Sequence, residues 1–310
     1  MLFTAYGNCQ ADILTNLLQQ SSEFADRYKL ARLRPCFAIS DQEVTDWAHQ
    51  QAPEVHLLMT QSLRKGWRAG IEIFDTDWLH RQCAKGAHWF EWSDMYYKAY
   101  EPQMAYPVTF SRRPPADYLN LLHVLAYVHG RNWQDLVPFY SDATTLPSAM
   151  LEEMHRAAQA ELARREAGCS LQIAPFIAEN WRRERLFLTF NHPGRKVVRH
   201  AANTVLSGIG IHTPVPEQGY FGFSASSGLP LLAAVNTMLE TPEVRDPAQT
   251  FWLENKVVPM AEYFERWQAS FDALGQEALQ HELKAQMNEP VMARPLLKAA
   301  ALFLGITLPS

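Results

Sequence analysis

A chain of 310 residues, 47% of them hydrophobic, carries enough apolar content for one large domain or two intimate ones. Its formal net charge of -5 excludes the broad basic excess of a general nucleic-acid binder, and no uninterrupted apolar run reaches the length of a membrane span. The start of the sequence has no charged-then-apolar leader pattern, and Cys9, Cys36, Cys83 and Cys169 stand far apart with no CxxC. The expectation is therefore a cytoplasmic protein with no disulfide framework and no metal site.

In chain order, residues 2–6 read as a strand, and 11–18 as a helix with Ile13, Leu14, Leu17 and Leu18 on one face. Residues 28–33 read as a second strand, 41–49 as a capped helix with Glu43 in its first turn, and 55–59 as a third strand ending at Thr60-Gln61-Ser62. A helix over 78–85 and a short aromatic strand over 88–92 follow. This alternation predicts an α/β fold, a largely parallel sheet covered by helices, with ligands at the carboxyl ends of the strands. From about residue 114 the pattern turns helical: 117–129, 147–166, 194–206, 229–239 and 252–274, with a buried terminal helix over 296–306. The helix over 147–166 is charged enough to read as a protruding or partner-facing element. One strand-like run, 185–190, interrupts the helices. The expected division is an α/β core over 1–145 and a mainly helical part over 146–310, joined at a soft boundary.

Two strand ends draw attention. Phe3-Thr4-Ala5-Tyr6-Gly7-Asn8-Cys9-Gln10 puts Cys9 at the turn between the first strand and the first helix. Unpaired N–H groups and the positive end of the helix dipole there favour thiolate, which suits a nucleophile or an anion-binding turn. The competing reading is a small hydrophobe packed under the sheet. Asn191-His192-Pro193 repeats the pattern: a strand ends, and Pro193 is suited to open the next helix because it needs no N–H. An imidazole held there can act as general base, and thiol and imidazole form an activating couple, although the spacing does not show that they meet. Gln61 and Asn8 could donate amides toward an oxyanion, or satisfy loop backbone instead.

Other signals are weaker. Arg64-Lys65 with Arg68, Arg112-Arg113, and Arg182-Arg183 with Arg185 are basic clusters that suit a phosphate or simply a solvated surface. The aromatic run from His88 to Tyr100 reads as core, and its end at Tyr97-Lys98-Ala99-Tyr100-Glu101-Pro102 as a candidate sugar or adenine loop. Asp77-Trp78-Leu79-His80 begins a predicted helix and reads as a capping feature. No P-loop, strand-linked GxGxxG, GxSxG elbow or HExxH helix occurs.

Four blocks nevertheless stand in a familiar order: Gly7-Asn8-Cys9-Gln10-Ala11, Thr60-Gln61-Ser62-Leu63-Arg64, Tyr97-Lys98-Ala99-Tyr100-Glu101-Pro102 and Phe190-Asn191-His192-Pro193. Together, across residues 1–210, they resemble the WcbI-like family of capsular polysaccharide biosynthesis proteins, regarded as acetyltransferases that bind coenzyme A. The N-terminal part of that family is similar to SGNH hydrolases, so the resemblance implies an SGNH- or flavodoxin-like three-layer core, with cysteine where those hydrolases carry serine. It implies acyl transfer, acetyl foremost, from coenzyme A to a hydroxyl of a sugar or surface-polysaccharide precursor. Cys9 and His192 are then catalytic. Asn8, Gln10, Gln61 and Asn191 position groups or stabilise an oxyanion, and Gly7, Arg64, Lys65 and Arg68 contact coenzyme A. Tyr97, Tyr100 and Glu101 form a substrate loop. A glycan or small-molecule acceptor is implied as partner, with homo-oligomers or a polysaccharide-synthesis complex compatible. Two departures stand out: Glu101-Pro102 replaces a common His-Pro, and Ser62 replaces a proline after the glutamine. A hydrolase using the same residues with water as acceptor, and a non-catalytic nucleotide- or glycan-binding scaffold, are the alternatives.

Overall fold

The structure, a computed structural model, describes residues 1–63, 75–110, 118–221, 231–242, 250–253 and 256–308. It divides into two compact units that interleave along the chain, one comprising residues 1–96, 162–178 and 192–223, the other 97–161, 179–191 and 224–310.

The first unit opens with β1 (Leu2–Tyr6), α1 (Cys9–Leu18), α2 (Ser22–Arg27), β2 (Lys29–Leu30), α3 (Asp41–Gln50), β3 (Val55–Gln61), α4 (Thr76–Gln82) and β4 (His88–Trp92). The four strands form one parallel sheet in the order β2-β1-β3-β4. β1 and β3 are buried along almost their whole length, which accounts for their near-continuous apolar runs. The chain steps outward from β1 to β2 and then back across β1 to β3. Right-handed crossovers in opposite directions put α1 and α3 on opposite faces. On one face α1 lies over β1 and β3 and packs against the helix Arg195–Gly208. On the other, Tyr6 and Leu58 join Val44 and Trp47 of α3 and Leu79 of α4 in one apolar cluster.

Local chemistry sets most of the element ends. Ser40 and Glu43 form a reciprocal capping box at the start of α3, and the Asp75 carboxylate accepts from the Asp77 and Trp78 N–H groups, opening α4 earlier than the apolar pattern suggests. The expected strand over 28–33 shortens to Lys29–Leu30, ahead of an alternation of exposed arginines that ends at Pro35. At the opposite edge, the Glu91 N–H donates to Ser170 Oγ at 2.8 Å and its carbonyl accepts from the Leu171 N–H at 2.9 Å.

The second unit is mainly helical, with helices Leu121–Val128, Val137–Ser141, Met260–Leu274, Gln276–Gln286 and Ala293–Leu304. Several expectations are corrected. The helix expected over 117–129 starts at Leu121, because Leu119–Asn120 pairs with Met104–Ala105 and the Asn120 side chain caps the helix. The segment 252–274 begins as an antiparallel hairpin, Thr250–Leu253 with Lys256–Pro259, and turns helical only at Met260. Of 229–239, Ala233–Asn236 is helical among the described residues. The terminal helix buries only one face: Leu296, Leu297, Ala300 and Ala301 are inside, whereas Leu302 is 84% exposed. The helix Ser148–Glu166 is packed rather than protruding, burying Leu151, Met154, His155, Ala158 and Leu162 along one face. Among the described residues, no helix is long and apolar enough to cross a membrane.

Candidate functional site

In a sheet ordered β2-β1-β3-β4, the connections from β1 and β3 diverge, leaving a crevice beyond the carboxyl ends of those two strands. Gly7, Asn8 and Cys9 follow β1, and Gln61 ends β3. Gly7 is required by close approach: a Cβ there would lie 2.8 Å from Gln61 Cβ and 2.9 Å from its Oε1. With no side chain between them, Gln61 Oε1 accepts the Asn8 N–H at 2.9 Å and ties the two strand ends together. The Gln61 Nε2 group donates to no other described residue.

Asn8 is the N-cap of α1. Its Oδ1 accepts the Gln10 N–H at 3.0 Å, and its Nδ2 donates to Asp94 Oδ1 at 3.2 Å. Gln10 is buried and grips Met95 twice: its Nε2 donates to the Met95 carbonyl at 3.0 Å, and its Oε1 accepts the Met95 N–H at 3.0 Å. The side chains of Asn8 and Gln10 are thus occupied in building the corner.

Cys9 begins α1 and is half-buried. Burial pushes its thiol up to about 11, and the nearby Asp94 carboxylate adds to this; the Cys9 and Gln10 N–H groups pull the other way and lose. The expected thiolate is corrected: at a helix start the dipole favours the anion, but desolvation and a neighbouring carboxylate outweigh it. The resting group at neutral pH is a thiol.

His192 lies in the same unit, in the bridge His192–Pro193 ahead of Arg195–Gly208. Gly194 is the N-cap and Arg195 the first helical residue, so the helix starts one residue later than the expected 194 and Pro193 does not open it. Burial pushes the imidazole down to about 4. It is neutral at pH 7 and so in the protonation state a general base needs.

In the second unit, Tyr97, Tyr100 and Glu101 are fully buried, so an open substrate loop is not what these side chains build. The Tyr97 hydroxyl meets His155 Nδ1 at 2.9 Å, and the Tyr100 hydroxyl donates to the Trp181 carbonyl at 2.8 Å. Glu101 pairs with Arg185 at 2.5 Å and accepts the Phe190 N–H at 2.9 Å. Asn191 donates through Nδ2 to the hydroxyls of Tyr106 at 2.6 Å and Tyr118 at 3.1 Å, and its Oδ1 accepts from Thr189 Oγ1 at 2.8 Å.

The sequence gives no reading of Asp94, Tyr106 and Tyr118, and Arg185, expected in a basic cluster for a phosphate or a solvated surface, is instead buried against Glu101. Asp94 follows the end of β4, and that strand-end position was its available signal; the other three make contacts far along the chain. Arg64, Lys65 and Arg68 lie outside the described residues. A cleft of about 900 Å³ in the second unit, lined by Asp142, Met150, Arg294, Lys298, Leu302 and Phe303 among others, contains none of the expected site residues. Among the described residues, no group of three or more His, Cys, Asp or Glu side chains is arranged to hold a metal.

Comparison with known proteins gives three findings. The family model described as polysaccharide biosynthesis enzyme WcbI matches residues 2–214. No curated protein matches. A solved structure of WcbI, described as a novel polysaccharide biosynthesis enzyme in its native form without a disulfide between coenzyme A and a cysteine, is similar over 96% of this chain and 98% of that one, with a TM-score of 0.84 at 20% identity. At that identity the likeness shows the shared α/β fold. The family model, spanning well over half of the sequence, shows more: the chain belongs to the WcbI family of polysaccharide biosynthesis enzymes.

Proposed function

We propose that this chain transfers an acyl group, acetyl foremost, from coenzyme A to a hydroxyl of a sugar or polysaccharide precursor in the cytoplasm. The observation that carries this reading is the corner itself: a half-buried thiol at the sheet's switch point, at a strand end shared with Gln61, whose Nε2 donates to no described residue. A thioester there has a sulfur neighbour in Cys9 and an amide donor for its carbonyl oxygen in Gln61. The solved relative is described as free of a disulfide between coenzyme A and a cysteine, wording that pairs the two, and we carry that pairing to Cys9, the first cysteine of this chain. Arg64, Lys65 and Arg68, just beyond Gln61, are our candidates for the phosphates of the donor.

Two routes follow from the residues. In one, Cys9 Sγ attacks the acyl carbonyl, its proton passes to His192 and on to the departing sulfur, and the acceptor hydroxyl then displaces Cys9 from the resulting thioester. In the other, His192 takes the acceptor's proton as the hydroxyl oxygen attacks the donor directly, the thioester C–S bond breaks, the departing sulfur takes that proton from the imidazolium, and Cys9 only shapes the site. Both routes start from the protonated Cys9 thiol and the neutral imidazole.

The test is purified protein with acetyl-coenzyme A and a panel of glycans. His192→Ala should lower transfer by about 10²–10⁴-fold, the range of a lost general base, while calorimetric binding of coenzyme A persists. Acid-quenched mass spectrometry decides between the routes by the presence or absence of acetyl on Cys9. Acceptor-independent release of acetate with no glycan product would overturn transfer in favour of hydrolysis.

A further inference from the structure

We infer that the buried Arg185–Glu101 pair is a positioning device, clamping the strand end that presents Asn191 and His192. The strand Phe187–Thr189 has only three residues, too few for a ladder to fix its own register. Side chains do that work. Arg185 donates through Nε to the Phe187 carbonyl at 2.6 Å, and through Nη2 to the Leu188 carbonyl at 2.6 Å and to Glu101 Oε1 at 2.5 Å. The other carboxylate oxygen of Glu101 accepts the Phe190 N–H at 2.9 Å. The Tyr97 N–H takes the Phe190 carbonyl at 2.6 Å, so both backbone polar groups of that residue are held.

The next residue is held as well. Asn191 Nδ2 sits on the Tyr106 and Tyr118 hydroxyls, and those two rings pack edge-on against each other and against Phe190. The Tyr106 carbonyl in turn accepts Gln286 Nε2 at 2.8 Å. That places a residue beyond the family-matched region in the support of the corner. His192 follows Asn191 directly in the chain.

Stability is a poor reason for the pair. The two side chains are 7% and 0% exposed, and a buried ion pair gains little over apolar residues of the same volume. What apolar residues lack is directionality: the guanidinium fork fixes two successive carbonyls and a carboxylate in one plane.

The inference rests on the proposed role of His192, and its test separates the two. Two variants are compared with the parent. Arg185→Lys keeps the charge but loses the fork, and Glu101→Gln with Arg185→Met removes both charges together. Each is measured for thermal unfolding, for acyl-transfer kcat and KM, and for the titration of the His192 imidazole by ¹⁵N NMR, assigned with His192→Gln. We expect folded variants with kcat about 10-fold or more lower and donor KM within about 3-fold. The His192 midpoint should rise from about 4 toward the ordinary histidine value as the corner loosens and admits water. Folded variants with the parental kcat and the parental His192 titration would overturn the clamp. If the parent transfers no acyl group, or if His192→Ala retains full activity, the proposed function fails while the imidazole titration still decides the role of the pair.

Discussion

At the Cys9 corner the chain is held by repeating structure. A parallel strand pair, a helix N-cap and one glycine bring Gly7 and Gln61 together, and every strut lies within a regular element or at its end. At the Asn191–His192 corner there is little regular structure to lean on. There Arg185 and Glu101 grip the backbone of Phe187, Leu188 and Phe190, and Tyr106 and Tyr118 hold the Asn191 side chain, across separations of 2 to 89 residues. The contrast teaches that one chain can hold two corners by different physics, the first through topology and the second through a buried polar cluster. Topology tolerates substitutions that preserve pattern; a polar cluster tolerates few, because each lost partner leaves another buried group unsatisfied.

Mutations can break this contrast, and the largest effect is expected at the second corner. Arg185→Met alone takes the guanidinium away from the buried Glu101 carboxylate and should cost about 3–5 kcal/mol in urea unfolding. A cost near zero would mean that the cluster is as tolerant as the sheet. At the first corner, Gly7→Ala forces a methyl group against Gln61 and should cost about 1–3 kcal/mol, the range of an overpacked core site. Unchanged stability there would show that Gln61 swings aside freely and that the link to the Asn8 N–H is dispensable.

The smallest effect sharpens the electrostatics. The Asp94 carboxylate raises the Cys9 pKa, so Asp94→Asn must lower it; at pH 8, below the folded value, the thiolate fraction then rises. Alkylation of Cys9 by iodoacetamide should accelerate several-fold. Cys83, also pushed up to about 11 but by burial alone, serves as the internal control and should react at its parental rate. A Cys9 rate that does not move would mean that burial alone sets its protonation.

The first corner was legible in the sequence for physical reasons. A strand that ends in Gly-Asn before a helical period announces both the turn and the cap, and β1, α1, β3 and β4 formed where their patterns placed them. The protonation state of Cys9 was not legible, because the dipole at the turn can be read locally while desolvation and Asp94 come from the folded surroundings. Tyr97, Tyr100 and Glu101 drew attention as polar and aromatic residues after a strand, which is equally the signature of a substrate loop and of a buried network. Only the partner decides, and Arg185, 84 positions after Glu101, carries no local mark of that role. The hairpin at Thr250–Leu253 and Lys256–Pro259 was hidden by an apolar run whose composition suits helix and strand alike.

The two edges of the parallel sheet have a consequence for self-association. An edge strand is a row of open hydrogen-bonding groups that a second chain can extend. On one side β2 is only two residues long and carries Lys29, too short and too charged to serve as a template. On the other side β4 is longer and aromatic, the more hazardous edge, and there the Ser170 hydroxyl and the Leu171 amide occupy both backbone groups of Glu91. The segment around Ser170 thereby acts as a guard against aggregation, shielding a strand that would otherwise recruit its own kind.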